Sequence, residues 1–346
     1  IIMAVVGCRG RGSALARNFA SRDDCQLAYV CDVDKKVIEK QTQPIADCQG
    51  GKLPKGEQDF RRMLDDKSVD AVVIATPAET HADLICAAAA AGKAIFCEKP
   101  LATDLVGAQR AATAVREAGV AFQLGFQRRY DPGIERLMAT LRDGSLGALE
   151  TFRSYTFDPY GPDFETMKSS AGIFHDTLSH DVDLALALFG PVREVFTRGM
   201  AVLDPRFLDI GKPDTISVSL HFEAGTLGTI DARLRSGYGY ETGLEVSGSH
   251  GKGVVRDDRV DALTLHQHNH TEYAFVPWFL ERFERAYRRE LDAFIAAVRE
   301  GRDPEPKADH GAEVLRVCLA CERSFLEDRR VHLGEIPLPS TPAGSP

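Results

Sequence analysis

The chain has 346 residues, which at ~150 residues per domain predicts about two domains, each with enough chain to bury a core. Its 44% hydrophobic and 27% charged residues are those of a folded globular chain, not a disordered or fibrous one. No apolar run reaches the ~18 residues of a membrane span, and a net charge of −9 argues against a broad basic surface for nucleic acid.

Strand and helix alternate over the first part of the chain. Continuous apolar runs predict strands buried on both faces at IIMAVVG (1–7), CQLAYVCD (25–32), VDAVVIATP (69–77), KAIFCEKP (93–100) and VAFQLGF (120–126). Helices are expected between them at 11–20, 34–40, 57–66, 81–92 (closed by Gly92) and 103–119 (stopped by Gly119). This alternation implies right-handed crossovers and a parallel, doubly wound sheet.

The pattern changes after Tyr130. A strand is expected at 145–157 and a helix at 172–189; then REVFTRGM, TISVSLHF, TLGTIDARL, TGLEVSGS and GKGVVRD alternate in the manner of an antiparallel sheet open on one face. Two amphipathic helices follow at 279–300 and 309–327, and the Pro/Ser-rich end carries little regular structure. The expected layout is a dinucleotide-binding α/β domain over 1–127, an α+β domain with an open, mainly antiparallel sheet over 128–333, and an irregular tail over 334–346.

The eight cysteines are scattered, several in apolar strand contexts where Cys acts as a small buried hydrophobe. With no recognisable signal peptide ahead of them, reduced thiols and a cytoplasmic location are expected. Cys318 and Cys321 have C-x-x-C spacing but fall in a helical pattern with no second ligand pair, so they read as core. His266, His268 and His270 would share a strand face, yet no acid or Cys stands at ligand spacing, so this run reads as a polar loop or edge and no metal site is expected.

Gly7-Cys8-Arg9-Gly10-Arg11-Gly12 follows the first strand and opens the first helix, where backbone N–H groups and the helix N-terminus can hold a pyrophosphate. Gly7 would permit the tight turn and Gly12 the close helix packing; Arg9 stands where the second glycine is usual, turned outward or contacting phosphate. Asp32 ends the second strand, placed to accept bonds from the adenosine ribose hydroxyls and to favour NAD over NADP. The plainer alternative is a strand–turn–helix glycine cluster with Asp32 as a helix cap. Lys35 and Lys36 could meet a phosphate, but read more simply as a solvated helix face.

Ligands in such sheets bind beyond the carboxyl ends of the strands. Thr76-Pro77 and Glu98-Lys99-Pro100 stand there, the lysine held extended by the proline after it. If 172–189 is helical, Asp176 and His180 form an i, i+4 pair, either a local ion pair or a proton acceptor oriented by its acid.

VDAVVIATPAETH, AIFCEKPLA, GFQRRYDP and AGIFHDTLSHDVDL, in this order after a glycine turn, resemble the glucose–fructose oxidoreductase/inositol dehydrogenase (Gfo/Idh/MocA) family of NAD(P)-dependent sugar and cyclitol oxidoreductases. The resemblance runs from about Met3 to Val331 and is closest to inositol 2-dehydrogenase-like members. It implies an N-terminal Rossmann domain, NAD as cofactor, and Lys99, Asp176 and His180 as the catalytic group. It places Gly7, Arg9, Gly10, Arg11, Gly12, Asp32, Thr76, Pro77, His81, Glu98, Lys99 and Gln127 at the cofactor. For the polyol it implies Arg129, Asp158, Thr177 and Tyr240, with Lys99, Asp176 and His180. Arg9 for glycine, Gln127 for asparagine, Ala171 for glycine and Thr156 for a polar ring are departures that bear on the substrate more than on the chemistry. The expected activity is reversible hydride exchange between a cyclitol secondary alcohol and the nicotinamide, in a homodimer or homotetramer. The alternatives are another sugar (hexose, amino sugar or sugar acid) and a non-catalytic NAD-binding sensor.

Overall fold

The computed structural model describes residues 1–256 and 258–339. The chain divides into two compact units, Ile1–Phe126 with Arg288–Leu315, and Gln127–Tyr287 with Arg316–Pro337. Among the described residues no helix is long and apolar enough to cross a membrane.

The first unit holds a six-stranded sheet of β1 (Ile2–Val6), β2 (Gln26–Cys31), β3 (Lys55–Glu57), β4 (Ala71–Ile74), β5 (Ala94–Glu98) and β6 (Phe122–Gly125). The strand order is β3-β2-β1-β4-β5-β6, and every pairing is parallel. The order reverses between β1 and β4, so their carboxyl ends open a crevice at a topological switch point. Helices α1 (Gly10–Ala20), α2 (Lys35–Cys48), α3 (Phe60–Leu64), α4 (His81–Ala90) and α5 (Leu105–Ala118) make the crossovers.

Two expectations change here. β3 has no apolar pattern of its own; its sequence, KGE, becomes a strand because the edge of β2 offers it a ladder at Tyr29–Cys31. α2 runs well beyond 34–40, because Ile38, Gln41, Ile45 and Ala46 supply one buried face to its end.

Residues 288–315 lie between the two segments of the second unit in sequence but pack with the first. Leu291, Phe294 and Ile295 join Met3, Val5, Leu15, Phe19 and Phe96 in one core cluster. The Phe19, Phe96 and Phe294 rings meet edge-on at centroid distances of 5.6–6.4 Å.

The second unit is built on β7 (Leu149–Phe157), β8 (Val192–Met200), β9 (Thr215–Phe222), β10 (Leu227–Arg233), β11 (Glu241–Gly248) and β12 (Gly251–Arg256). Beside it, β13 (Leu265–Gln267) and β14 (His270–Glu272) form a separate two-stranded ribbon, which is where the histidine run lies. β15 (Val331–His332) completes a seven-stranded sheet of order β12-β11-β7-β10-β9-β8-β15. All pairings are antiparallel except β7 with β10. Ile216, Val218, Leu220 and Phe222 point to the core, while Ser217, Ser219, Thr229 and Asp231 are exposed on the other face.

Helices α6 (Pro132–Arg142), α7 (Phe164–Ser169), α8 (Gly172–Asp176) and α9 (Leu178–Phe189) belong to this unit. The single helix expected at 172–189 is interrupted at Thr177: its N–H bonds Ile173 O, and the His180 N–H bonds back to Thr177 O rather than four residues back. The helix expected at 279–300 is likewise two segments, Phe279–Arg282 and Glu284–Glu300, separated by Phe283 at φ −110°, ψ 18°. In the tail, Leu333–Glu335 form a short 3₁₀ turn, and residues 340–346 lie outside the described residues.

Candidate active site

The glycine turn is a backbone-to-backbone contact. Gly7 has φ +81°, and its N–H donates to Cys31 O at 2.9 Å. A Cβ on Gly7 would stand 2.7 Å from the Ala75 carbonyl and the Thr76 nitrogen; one on Gly12 would stand 1.8 Å from Gly7 O. The turn therefore leaves no room for a side chain at Gly7 or at Gly12. Arg9 is the extended N-cap of α1 and offers no side-chain cap, so it does not compete for the helix's first N–H groups.

Asp32 is buried at the end of β2. Its Oδ2 accepts from Cys8 N–H at 2.9 Å and its Oδ1 from Asp34 N–H at 3.0 Å. The cap of α2 is Asp34, whose Oδ1 accepts from Lys36 N–H at 2.9 Å, so the alternative reading of Asp32 as a helix cap does not hold. Arg9 turns outward: its Nη2 donates to Asp34 Oδ2 at 2.6 Å.

At the carboxyl ends of β4 and β5, the structure gives His81 a different place from the one expected. The ring is buried, with Nδ1 2.7 Å from Pro100 O and Nε2 2.9 Å from Thr76 O. With both nitrogens on backbone carbonyls, His81 links the Thr76-Pro77 segment to the Lys99-Pro100 segment from beneath; it is a support and not a ligand. Thr80 Oγ1 lies 2.7 Å from Thr76 Oγ1 and fixes that hydroxyl further.

Arg11 and Glu98, both expected at the cofactor, face each other. Arg11 Nε donates to Glu98 Oε1 at 2.7 Å, and its Nη2 lies 3.9 Å from the fully buried Glu290 carboxylate. Glu98 Oε2 would be 3.0 Å from a Cβ on Gly125, so the glycine makes space for the carboxylate. The pair ties the start of α1 to the residue preceding Lys99, which is itself half-buried. Removing the guanidinium leaves two carboxylates of low exposure without it. Arg11→Gln is therefore expected to lower the unfolding free energy by about 3 kcal/mol in urea titration. Adding Glu98→Gln should return part of the loss, and a fully additive second loss would contradict the pairing.

The second unit assembles a buried polar cluster. A short 3₁₀ turn, Gln127–Tyr130, buries Gln127 and Arg128. Arg128 Nη1 donates to Thr156 Oγ1 at 2.9 Å and to Asp181 Oδ1 at 3.3 Å; its Nη2 donates to Tyr240 Oη at 3.3 Å. Thr156 Oγ1 donates in turn to Asp181 Oδ2 at 2.7 Å. Burial opposes the charge on Arg128, but Tyr240, Asp181 and Asp158 outweigh it and hold its pKa above the ordinary value. Burial pushes the Tyr240 phenol up to about 12, against the pull of Arg128, so it stays a neutral hydroxyl. Arg129 grips Asp183 from Nε and Nη2 at 2.8–3.1 Å.

Asp176 closes α8 and is exposed, Thr177 is buried at the break, and His180 stands half-buried in the first turn of α9. Asp181 and Asp183 follow on the same helix, so α9 carries both the histidine and the acids that hold the two arginines. Arg128, Asp181 and Asp183 were missed as site-forming residues. The available signal was two adjacent arginines and a D-x-D in otherwise apolar surroundings, a charge balance that buried residues require.

The description "Oxidoreductase family, NAD-binding Rossmann fold" matches residues 1–126, and "Oxidoreductase family, C-terminal alpha/beta domain" matches residues 139–333. The chain belongs to the Gfo/Idh/MocA oxidoreductase family. It is 31% identical to the myo-inositol 2-dehydrogenase of Thermotoga maritima, over 96% of this chain and 99% of that one. It is 35% identical to the inositol 2-dehydrogenase of Rhizobium meliloti, over 77% of this chain and 81% of that one. The structure of myo-inositol dehydrogenase from Lactobacillus casei in complex with NAD(H) and myo-inositol is similar at a TM-score of 0.85 and 26% identity, covering 99% and 98% of the two chains.

For this Gfo/Idh/MocA member, the residues present fit NAD. Gly7 and Gly12 let the strand end and the start of α1 pack backbone to backbone, the space beside Gly10 is open, and Asp32 is fixed by two backbone N–H groups with a lone pair left on each oxygen for a ribose hydroxyl.

Proposed function

We propose that this chain is an NAD-dependent dehydrogenase that reversibly oxidises a secondary alcohol of a cyclitol, myo-inositol or a relative of it. The observation that carries the reading is the second unit's polar cluster. Arg128, Asp181, Thr156 and Tyr240 are locked in one buried network, and Thr177 and His180 lie within a few residues of Asp181. A wall of fixed donors and acceptors suits a ring that presents a hydroxyl at every carbon. The inositol dehydrogenases among the relatives support the same substrate class.

The roles follow from the side-chain chemistry and from the family resemblance. His180 takes the hydroxyl proton, and Asp176 holds the imidazole in position and stabilises it once charged. The family resemblance gives the Lys99 ammonium the role of stabilising the alkoxide as it forms. NAD, when bound, supplies the acceptor for the carbinol hydrogen and its electron pair. Asp158, Thr177, Arg129 and Tyr240 orient the ring. We assign the enzyme to the cytoplasm, in keeping with its eight thiols, and to a homodimer or homotetramer that covers the exposed face of the seven-stranded sheet.

A panel of inositols, hexoses and pentoses, each with NAD and with NADP and followed by nicotinamide absorbance, tests the reading. Turnover is expected to be fastest with an inositol and NAD. Faster turnover of a hexose, amino sugar or sugar acid would move the substrate assignment within the family; NADH binding with no turnover of any polyol would make the chain a sensor.

A further inference from the structure

The end of β2 carries more charge than NAD recognition requires. Asp32 and Asp34 both stand there, and the guanidinium beside them comes from the glycine turn itself. Arg9 occupies the turn position at which a side chain is least expected, yet it does not point into the cradle. It reaches across to Asp34, with Nη2 to Oδ2 at 2.6 Å, and remains largely solvent-exposed at 70%. Lys35, the next cation along, leans toward Glu39 one turn down α2, at 3.7 Å.

These positions matter because the acid at the end of the second strand marks where the adenosine ribose sits. Asp32 is pinned by Cys8 N–H and Asp34 N–H, so it cannot swing away from a phosphate placed on the ribose. Asp34 is not pinned to Arg9 in the same way. Its Oδ1 serves the α2 cap, and only Oδ2 holds the guanidinium. An arginine is the side chain best matched to a phosphate monoester, which it can grip with two parallel N–H bonds. An exposed ion pair is worth little in itself, so a phosphate dianion could compete for the same guanidinium.

Resting on the dinucleotide reading above, we infer that Arg9 and Asp34 form a latch that sets cofactor choice: closed, it leaves the ribose site net negative and selects NAD; opened, it turns Arg9 into a 2′-phosphate ligand and admits NADP. Asp32 supplies the ribose contact and a fixed repulsion of a 2′-phosphate, and Asp34 adds to that discrimination by occupying Arg9. Of the three charged groups, two are carboxylates, so neutralising one of them changes the sign balance that a 2′-phosphate meets.

Asp34→Asn is the direct test, because asparagine caps a helix as well as aspartate does and should preserve α2. Calorimetric titrations with 5′-ADP and 2′,5′-ADP read the ribose site without the nicotinamide half; NADH and NADPH titrations accompany them. In Asp34→Asn, binding of 2′,5′-ADP and NADPH should tighten by about tenfold or more. Binding of 5′-ADP and NADH should change by less than about threefold, and the gain should shrink as salt is raised. In Arg9→Gln/Asp34→Asn the gain should disappear, and in Arg9→Gln alone 2′,5′-ADP should bind several-fold more weakly than to wild type.

Equal changes for both ligands, a gain that survives loss of Arg9, or a wild-type protein that already prefers NADPH would each overturn the latch. If wild type binds NADH and Asp34→Asn fails to respond, only the latch falls; if wild type binds neither dinucleotide, the cofactor reading falls and takes the latch with it.

Discussion

Turnover is expected to fall by roughly 10²–10⁴-fold in Lys99→Ala and in His180→Ala, while NADH binding survives. The two losses have different origins. In the proposed mechanism alanine at 99 removes the cation that meets the developing alkoxide, an effect mainly on the charge-separated state that appears in kcat more than in KM. Alanine at 180 removes the proposed proton acceptor. Neither substitution touches the Gly7–Gly12 cradle or Asp32, which is why dinucleotide affinity should persist. The measurement is steady-state turnover of the best polyol beside a fluorescence titration with NADH. Near-wild-type turnover in either variant would remove that residue from the catalytic group.

Gly12→Ala is expected to be the most damaging single methyl group in the chain's first unit. The added Cβ would lie 1.8 Å from Gly7 O and 2.9 Å from Gly7 C, and the obstacle is backbone that cannot step aside. Gly7 is itself fixed by its bond to Cys31 O and by its contact with Ala75 and Thr76, so α1 must move away from the sheet. A loss of about 3 kcal/mol or more in unfolding free energy is expected, with NADH affinity falling at least tenfold. Gly10→Ala is the internal control. A Cβ there meets nothing within 4 Å, and its φ of +36° costs about 1 kcal/mol of backbone strain. Chemical denaturation and NADH titration of both variants separate crowding from strain; equal effects would mean that the close approach at Gly12 carries no special weight.

Much of the architecture was legible because it rests on local patterns. Alternating buried strands and capped helices give the doubly wound sheet, and period-two alternation gives the open antiparallel one. The uses of Gly7 and Gly12 followed from their place between a strand and a helix. What stayed hidden depends on neighbours distant in sequence. The KGE strand exists only because β2 has a free edge for it. Arg128 and Arg129 are adjacent and chemically identical, and nothing local says that one reaches Thr156, Asp181 and Tyr240 while the other reaches Asp183. The family resemblance alone placed His81 at the cofactor; that two carbonyls take its ring nitrogens is a property of the folded loops. The amphipathic stripe of Leu291, Phe294 and Ile295 announced a buried helix face without saying which core it would enter.

That last packing has a bearing on how the polypeptide is made. During synthesis Phe19 and Phe96 leave the ribosome about 275 and about 200 residues ahead of Phe294, whose ring closes their cluster. Until then the nascent first unit leaves uncovered the apolar faces of Phe19 and Phe96 that Phe294 will meet. For the same reason no single cut in the gene yields two self-sufficient pieces: splitting it after Phe126 strands the lid of the first piece on the second.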